Sequence, residues 1–328
     1  MTRSRFALAA LLPLLLLLAA CARKENTRSG PQPDGPGPSG PGDTTQTLSE
    51  ARKGFQTQLT RQHKANEPVD NPPAAVFRKV QYDSPAGKMA AYLTPDPKDG
   101  KKRPAIVWIT GGDCNSIGDV WSPAKPSDDQ TARQYRDAGI VMMFPSLRGG
   151  NNNPGVQEGF FGEVDDVLAA ADYLAKQPYV DPKRIYLGGH STGGTLVMLV
   201  AESSDRFRAV FSFGPADDIT HYPAQFVPSV NTGVPREVEL RSPVHWLHSI
   251  QSPTFVFEGT VQGNLISLQT MSRASKNPKA HFYAIKGGNH FSVLAPTNRL
   301  IAQKILKDDG PDTNITFTEA ELSKPFGR

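Results

Sequence analysis

Six short, almost wholly apolar runs narrow the folds open to this 328-residue chain. They are "AIVWIT" (105–110), "IVMMFP" (140–145), "RIYLGG" (184–189), "AVFSFG" (209–214), "TFVFEG" (254–259) and "HFYAIKG" (281–287). Runs of this length without polar alternation suit strands buried on both faces. Helical segments fall between or after most of them: "TARQYRDAG" (131–139), Glu163 to Lys176, Thr192 to Glu202 and "RLIAQKIL" (299–306). In the second of these, Val164, Val167, Leu168, Ala171 and Leu174 recur at helical spacing. Strand and helix alternating in this way predict an α/β protein with a mainly parallel sheet covered on both faces. Upstream, "VFRKVQYDS" and "MAAYLT" read as an antiparallel strand pair split at Pro85-Ala86-Gly87.

One strand-to-helix junction carries chemistry. "LGGHSTGGT" (187–195) contains Gly189-His190-Ser191-Thr192-Gly193, a G-x-S-x-G pattern. The pattern alone is common by chance. Here it follows an apolar strand and opens a helix, the setting in which a nucleophilic serine sits on a tight turn with glycines for clearance. Thr192 then offers the backbone N–H just after the nucleophile to a developing oxyanion. The bland alternative is a glycine-rich turn with an incidental serine. A second oxyanion donor should follow the first buried strand, where "WITGGDCNSIG" supplies Gly111 and Gly112.

Ser191 needs a base, and the chain has seven histidines. His290, in "IKGGNHFSVLAP", lies in the loop after the last strand, where this order of elements places the base. His63 falls in an N-terminal helical segment, His190 in the elbow and His281 at the start of the last strand; His221, His245 and His248 lie between two strands. "VHWLH" reads as one packed helical turn. No H-E-x-x-H pattern or Cys/His cluster calls for a metal, and no cofactor is implied.

Together these pieces resemble the α/β-hydrolase fold, a three-layer α/β/α architecture. More narrowly, residues 85 to 307 resemble the catalytic domain of the prolyl oligopeptidase and dipeptidyl aminopeptidase family. The resemblance rests on "RPAIVWITGG", "FPSLRGGNNNPG", "GEVDDVLAAADYLAKQPYVDPKRIYLGGHSTGG", "RSPVHWLHSIQSPTFVFEGTVQGN" and "KGGNHF". It implies hydrolysis of a peptide or ester bond through an acyl-serine intermediate. Two departures stand out. The chain has no room for the N-terminal propeller such peptidases carry. The family also has an aspartate three residues beyond the glycine of "SPTFVFEG", where this chain has Gln262. An amide cannot stabilise an imidazolium by charge. Glu258, on the same strand, is one substitute acid; Asp217 or Asp218, after "AVFSFG", is another; a Ser–His dyad without an acid is the third reading. A carboxylesterase or dienelactone-type hydrolase would use the same machinery. A surface binding protein that kept the fold and lost the chemistry would need neither the elbow nor His290.

The N-terminus predicts where the protein resides. "MTRSRFALAALLPLLLLLAAC" has basic residues, then an apolar run from Phe6 to Ala20 that is short for a membrane span. Leu18-Ala19-Ala20-Cys21 resembles a bacterial lipobox, which implies a signal peptide over 1–20, cleavage before Cys21, and acylation of Cys21 as a membrane anchor in the cell envelope. Residues 21–47 then form a tether, with "SGPQPDGPGPSGPGD" too poor in apolar residues to bury a core. Leu48, Ala51, Phe55 and Leu59 predict a helix over 48–64 within an N-terminal segment 48–75, and the hydrolase domain occupies 76–328. The formal charge of +4 includes Arg3 and Arg5 of the leader, and no Lys/Arg run is interleaved with aromatics, so a nucleic-acid partner is not expected. The expected partners are a peptide or small acyl-ester substrate and a membrane.

Overall fold

The computed structural model describes residues 46–327; the leader, Cys21 and nearly all of the tether lie outside them. Eight strands form one sheet in the order β1-β2-β4-β3-β5-β6-β7-β8. They are β1 (Arg78–Ser84), β2 (Gly87–Leu93), β3 (Arg103–Ile109), β4 (Val141–Pro145), β5 (Val180–His190), β6 (Val210–Phe213), β7 (Thr254–Gly259) and β8 (Ala280–Ile285). The β1–β2 hairpin pairs antiparallel, β2 pairs antiparallel with β4, and every pairing from β4 to β8 is parallel.

Alternate residues of the central strands feed two cores. Ala105, Val107 and Ile109 of β3 pack on one face with helices α3 (Glu163–Ala175) and α4 (Thr192–Ser203). Ile106 and Trp108 pack on the other with α2 (Gln134–Asp137) and α7 (Leu294–Lys307). That period-2 division over a doubly covered sheet gives the three layers expected of an α/β-hydrolase fold. With α1 (Leu48–Arg52), the short helices α5 (Pro235–Glu239) and α8 (Glu319–Ser323) and helix α6 (Leu265–Ala274), which follows β7, complete the described α-helices. The pattern of α6 is not evident in the sequence, where Ser267, Gln269 and Thr270 interrupt the apolar residues. The "VHWLH" segment forms two short 3-10 turns, Pro243–His245 and Leu247–Ser249.

The N-terminal segment differs from its periodicity. Helix α1 covers only Leu48–Arg52, started by a capping box between Thr47 and Glu50. Lys53 is extended and Gly54 turns the chain at φ 73°. Beyond it the backbone finds tertiary partners: Gln58 N–H donates to Glu237 Oε1 at 2.7 Å, Leu59 bridges Val230, and Thr60 N–H donates to Ser229 O at 2.8 Å. Phe55 and Leu59 still reach the core, but from an extended strap. Among the described residues no helix is long and apolar enough to cross a membrane.

Candidate active site

Strand β5 runs directly into α4 through Ser191, whose φ of 56° and ψ of −116° lie where a residue with a Cβ is strained. The turn is held from both sides. Ser191 N–H donates to Phe213 O at 2.7 Å, and Ser191 O accepts from Thr195 N–H at 2.9 Å. The flanking glycines are sterically required: a Cβ on Gly189 would lie 2.5 Å from Gly193 O, and one on Gly193 would lie 2.4 Å from Ile109 O. The incidental-serine reading gives no reason for such a turn.

Thr192 opens α4, so its N–H is one of the first-turn donors that no intrahelical carbonyl can take. The Thr192 hydroxyl donates to Gly112 O at 2.8 Å, tying the loop after β3 to the elbow. Gly112 itself has φ 73°. The segment after β4 buttresses this loop: Leu147 N–H and the Ser146 hydroxyl both donate to Asn115 O, at 2.7 and 3.0 Å, and the Asn115 amide donates to Arg148 O at 2.8 Å. Arg148 is buried and bonded through Nε to Asp166 at 2.9 Å and through a terminal nitrogen to Glu158 at 2.7 Å. The "SLRGG" segment is therefore scaffold for the loop after β3.

His290 stands in the loop between β8 and α7, and its Nδ1 lies 2.8 Å from Glu258 Oε2. Glu258 is fully buried near the end of β7. Its other partners are Gly259 N–H on Oε1 at 2.6 Å and Asn264 N–H on Oε2 at 2.9 Å. A carboxylate only accepts, and the N–H groups of Gly259 and Asn264 already donate to its two oxygens, so His290 presents Nδ1–H to it and keeps Nε2 as the free ring nitrogen. Ser191, His290, Gly111 and Gly112 line one cleft of about 620 Å³, with Tyr222, Phe226, Gln262 and Phe291 among its walls.

The other acids lie elsewhere. Asp217 Oδ1 is 2.8 Å from His221 Nδ1 and accepts the Ser267 hydroxyl at 2.7 Å. Asp218 caps a 3-10 turn, accepting from Thr220 N–H at 2.8 Å and its hydroxyl at 2.6 Å. Neither bonds to His290, because the chain after β6 turns away into the segment over the cleft. The dyad reading is likewise not what the geometry shows. Gln262 takes a backbone part: its carbonyl accepts from His290 N–H at 3.2 Å. Two further residues were not singled out in the sequence. A Cβ on Gly214 (φ +56°) would lie 2.4 Å from His290 Cε1 and 2.7 Å from Glu258 Oε2, and one on Gly263 would lie 2.8 Å from His290 Cβ. Gly214, just past the end of β6, carries a signal in the sequence; Gly263, within the loop after β7, carries none. The Asn264 amide also spans to Gly214 O at 2.8 Å. Among the described residues no His/Cys/Asp/Glu cluster forms a metal site. Cys114 is a buried free thiol, pushed well above the usual thiol range by burial.

Residues 126–302, more than half of the chain, match the model of the prolyl oligopeptidase family. The chain belongs to that family. Among its relatives, the dipeptidyl-peptidase 5 of Porphyromonas gingivalis is 30% identical over 147 residues, which are 42% of this chain and 21% of that protein. The uncharacterized peptidase YtmA of Bacillus subtilis is 29% identical over 189 residues, 54% of this chain and 70% of that protein. A solved puromycin-hydrolyzing peptidase of Mycobacterium tuberculosis superposes with a TM-score of 0.55 at 20% identity, covering 72% of this chain and 40% of that one. At that identity the likeness is one of fold. The chain spans about a fifth of the length of the dipeptidyl-peptidase and two fifths of the solved peptidase.

Proposed function

We propose that this prolyl oligopeptidase family member is a serine hydrolase that cleaves peptide or small ester bonds through an acyl-serine intermediate. The observation that carries the reading is the buried Glu258–His290 pair beside a strained Ser191 in one cleft. A binding protein would have no use for a buried carboxylate aligned on a histidine at the lip of a serine elbow.

In this mechanism His290 Nε2 takes the Ser191 proton as Oγ attacks the carbonyl carbon. Glu258 holds Nδ1–H and stabilises the imidazolium that forms. The Thr192 and Gly112 N–H groups take the oxyanion, where preorganised donors act most strongly. His290 then gives its proton to the leaving group, and water repeats the sequence on the acyl-serine. Ser191 and His290 line the same cleft; a hydrogen bond between nucleophile and base is often long before substrate binds and tightens in the substrate complex.

The leaving group must sit against His290, so the acyl portion lies on the side of the oxyanion donors. There a smaller cavity of about 200 Å³ opens, lined by Gly112 and Thr192, by Phe226 and Pro228 above the cleft, and by Arg61 and His63 of the strap. Its size suits short acyl groups. The basic leader and Leu18-Ala19-Ala20-Cys21 support a lipid anchor that holds the enzyme to a membrane of the bacterial envelope. The direct test is an active-site phosphonate probe on the full chain. Labelling of Ser191 with turnover of p-nitrophenyl acetate, both lost in Ser191→Ala, is expected; an unlabelled and inactive parent protein refutes the reading.

A further inference from the structure

His190, the variable residue of the elbow motif, is buried directly beneath the base. Its Nε2 lies 3.1 Å from His290 O, and the two rings are 4.5 Å apart between centroids. A carbonyl only accepts, so Nε2 carries the proton. Nδ1 is then a bare acceptor, buried and without a partner among the described residues. Burial, and then the neighbouring His290, pull the His190 pKa down to about 3, so a second proton does not bind in the working range. On its other side the ring meets the oxyanion loop, where a Cβ on Gly111 would lie 3.0 Å from Nδ1.

The base needs such support because it sits in a loop with no strand ladder. Three bonds fix it: Nδ1–H to Glu258, N–H to Gln262 O at 3.2 Å, and the carbonyl to His190. Remove the third and the peptide after His290 is held only through its Phe291 N–H, which donates to Asn289 Oδ1 at 3.0 Å, so its carbonyl end can pivot and move the imidazole relative to Ser191. The neutrality of His190 matters as well. A permanent cation at this site would oppose the imidazolium that His290 becomes.

We propose that His190 is a positioning residue: its Nε2–H holds the His290 carbonyl and so keeps the general base in register with Ser191 and the oxyanion loop. The inference rests on the hydrolase reading above. Two variants separate the donor from the ring's bulk. His190→Gln keeps an uncharged donor near the Nε2 position, whereas His190→Phe fills the space without one. The expected result on p-nitrophenyl acetate is a kcat within about fivefold of the parent for Gln. For Phe, kcat falls by about 10- to 100-fold at nearly constant KM, the range that a small misplacement of a reacting group costs. Phosphonate labelling should slow by the same factor.

Active-site titration and thermal unfolding count the folded enzyme in each variant. Equal kcat in parent and Phe overturns the proposal, and so does an equal loss in Gln and Phe, which would make the ring mere packing. Should the Phe variant not fold, His190→Asn, whose donor is too short to reach, takes its place with the same expected loss. Nitrogen-15 spectra of the parent imidazoles give a readout independent of activity. His190 is expected as the neutral Nε2–H tautomer from pH 5 to 8, and an Nδ1–H tautomer or a titration in that range overturns the assignment. A parent that neither turns over ester nor labels at Ser191 fails the hydrolase reading itself, an outcome distinct from these.

Discussion

Replacing Glu258 by glutamine changes one atom and tests the acid directly. Both carboxylate oxygens face donors: Gly259 N–H at 2.6 Å on one, and Asn264 N–H at 2.9 Å with His290 Nδ1 at 2.8 Å on the other. An amide must turn its NH2 group toward one set. With NH2 toward Gly259, His290 keeps its bond, but two donors oppose each other in a buried site, at a cost of about 1–3 kcal/mol. With NH2 toward His290, the ring must accept at Nδ1 and carry its proton on Nε2, where it can no longer take one from Ser191. The second arrangement leaves a single mispaired donor, on Asn264, so neither orientation wins clearly. Both lose the charge that stabilises the imidazolium. A triad acid replaced by its amide costs up to about 10⁴ in kcat, which at about 1.36 kcal/mol per factor of ten is close to 5.4 kcal/mol of transition-state stabilisation. Loss of 10³–10⁴ in kcat is expected for Glu258→Gln, measured on p-nitrophenyl acetate with folded enzyme counted by active-site titration. Asp217→Asn and Asp218→Asn, whose carboxylates bond to His221, Ser267 and Thr220 and not to His290, should stay within about threefold. If Glu258→Gln also stays within threefold, the pair is structural and a Ser–His dyad is the better account.

Gly214→Ala should lose at least about 100-fold in kcat, because the new methyl falls 2.4 Å from His290 Cε1 and displaces the base, while circular dichroism stays that of the parent. Glu202, on the last turn of α4, is buried with neither carboxyl oxygen partnered among the described residues, and burial raises its pKa well above 4.5. The folded state then holds its proton more tightly than the unfolded chain, so this contribution is full below pH 4.5 and is lost as pH rises. Urea midpoints of the parent and Glu202→Gln should agree at pH 4 and diverge at pH 8 with the variant more stable; equal midpoints at both would show the carboxyl finds a partner. For the anchor, Cys21→Ser should move the full chain made in a bacterium from the detergent phase to the aqueous phase, and identical partitioning would refute lipidation.

Much of the frame was legible along the chain because it depends on local pattern. Strand β7 coincides with "TFVFEG", and α4 begins at Thr192, since apolar runs and a glycine-flanked serine are signals contained in a few residues. Ser191 and His290 could be named from their places relative to strands for the same reason. The acid could not. Glu258 lies at the end of one sheet strand and Asp217 and Asp218 follow another, and sequence order does not say which carboxylate faces His290. Only the pairing of β6 with β7, the turn of the chain after Gly214, and the N–H groups of Gly259 and Asn264 single out Glu258. The strap from Gly54 to Ala65 shows the converse limit. Phe55 and Leu59 have helical spacing, yet the backbone there bonds to Glu237, Ser229 and Gly149, residues about 85 to 180 positions away. A helix of a few turns is marginal alone, so partners brought near by the rest of the fold decide what that segment becomes.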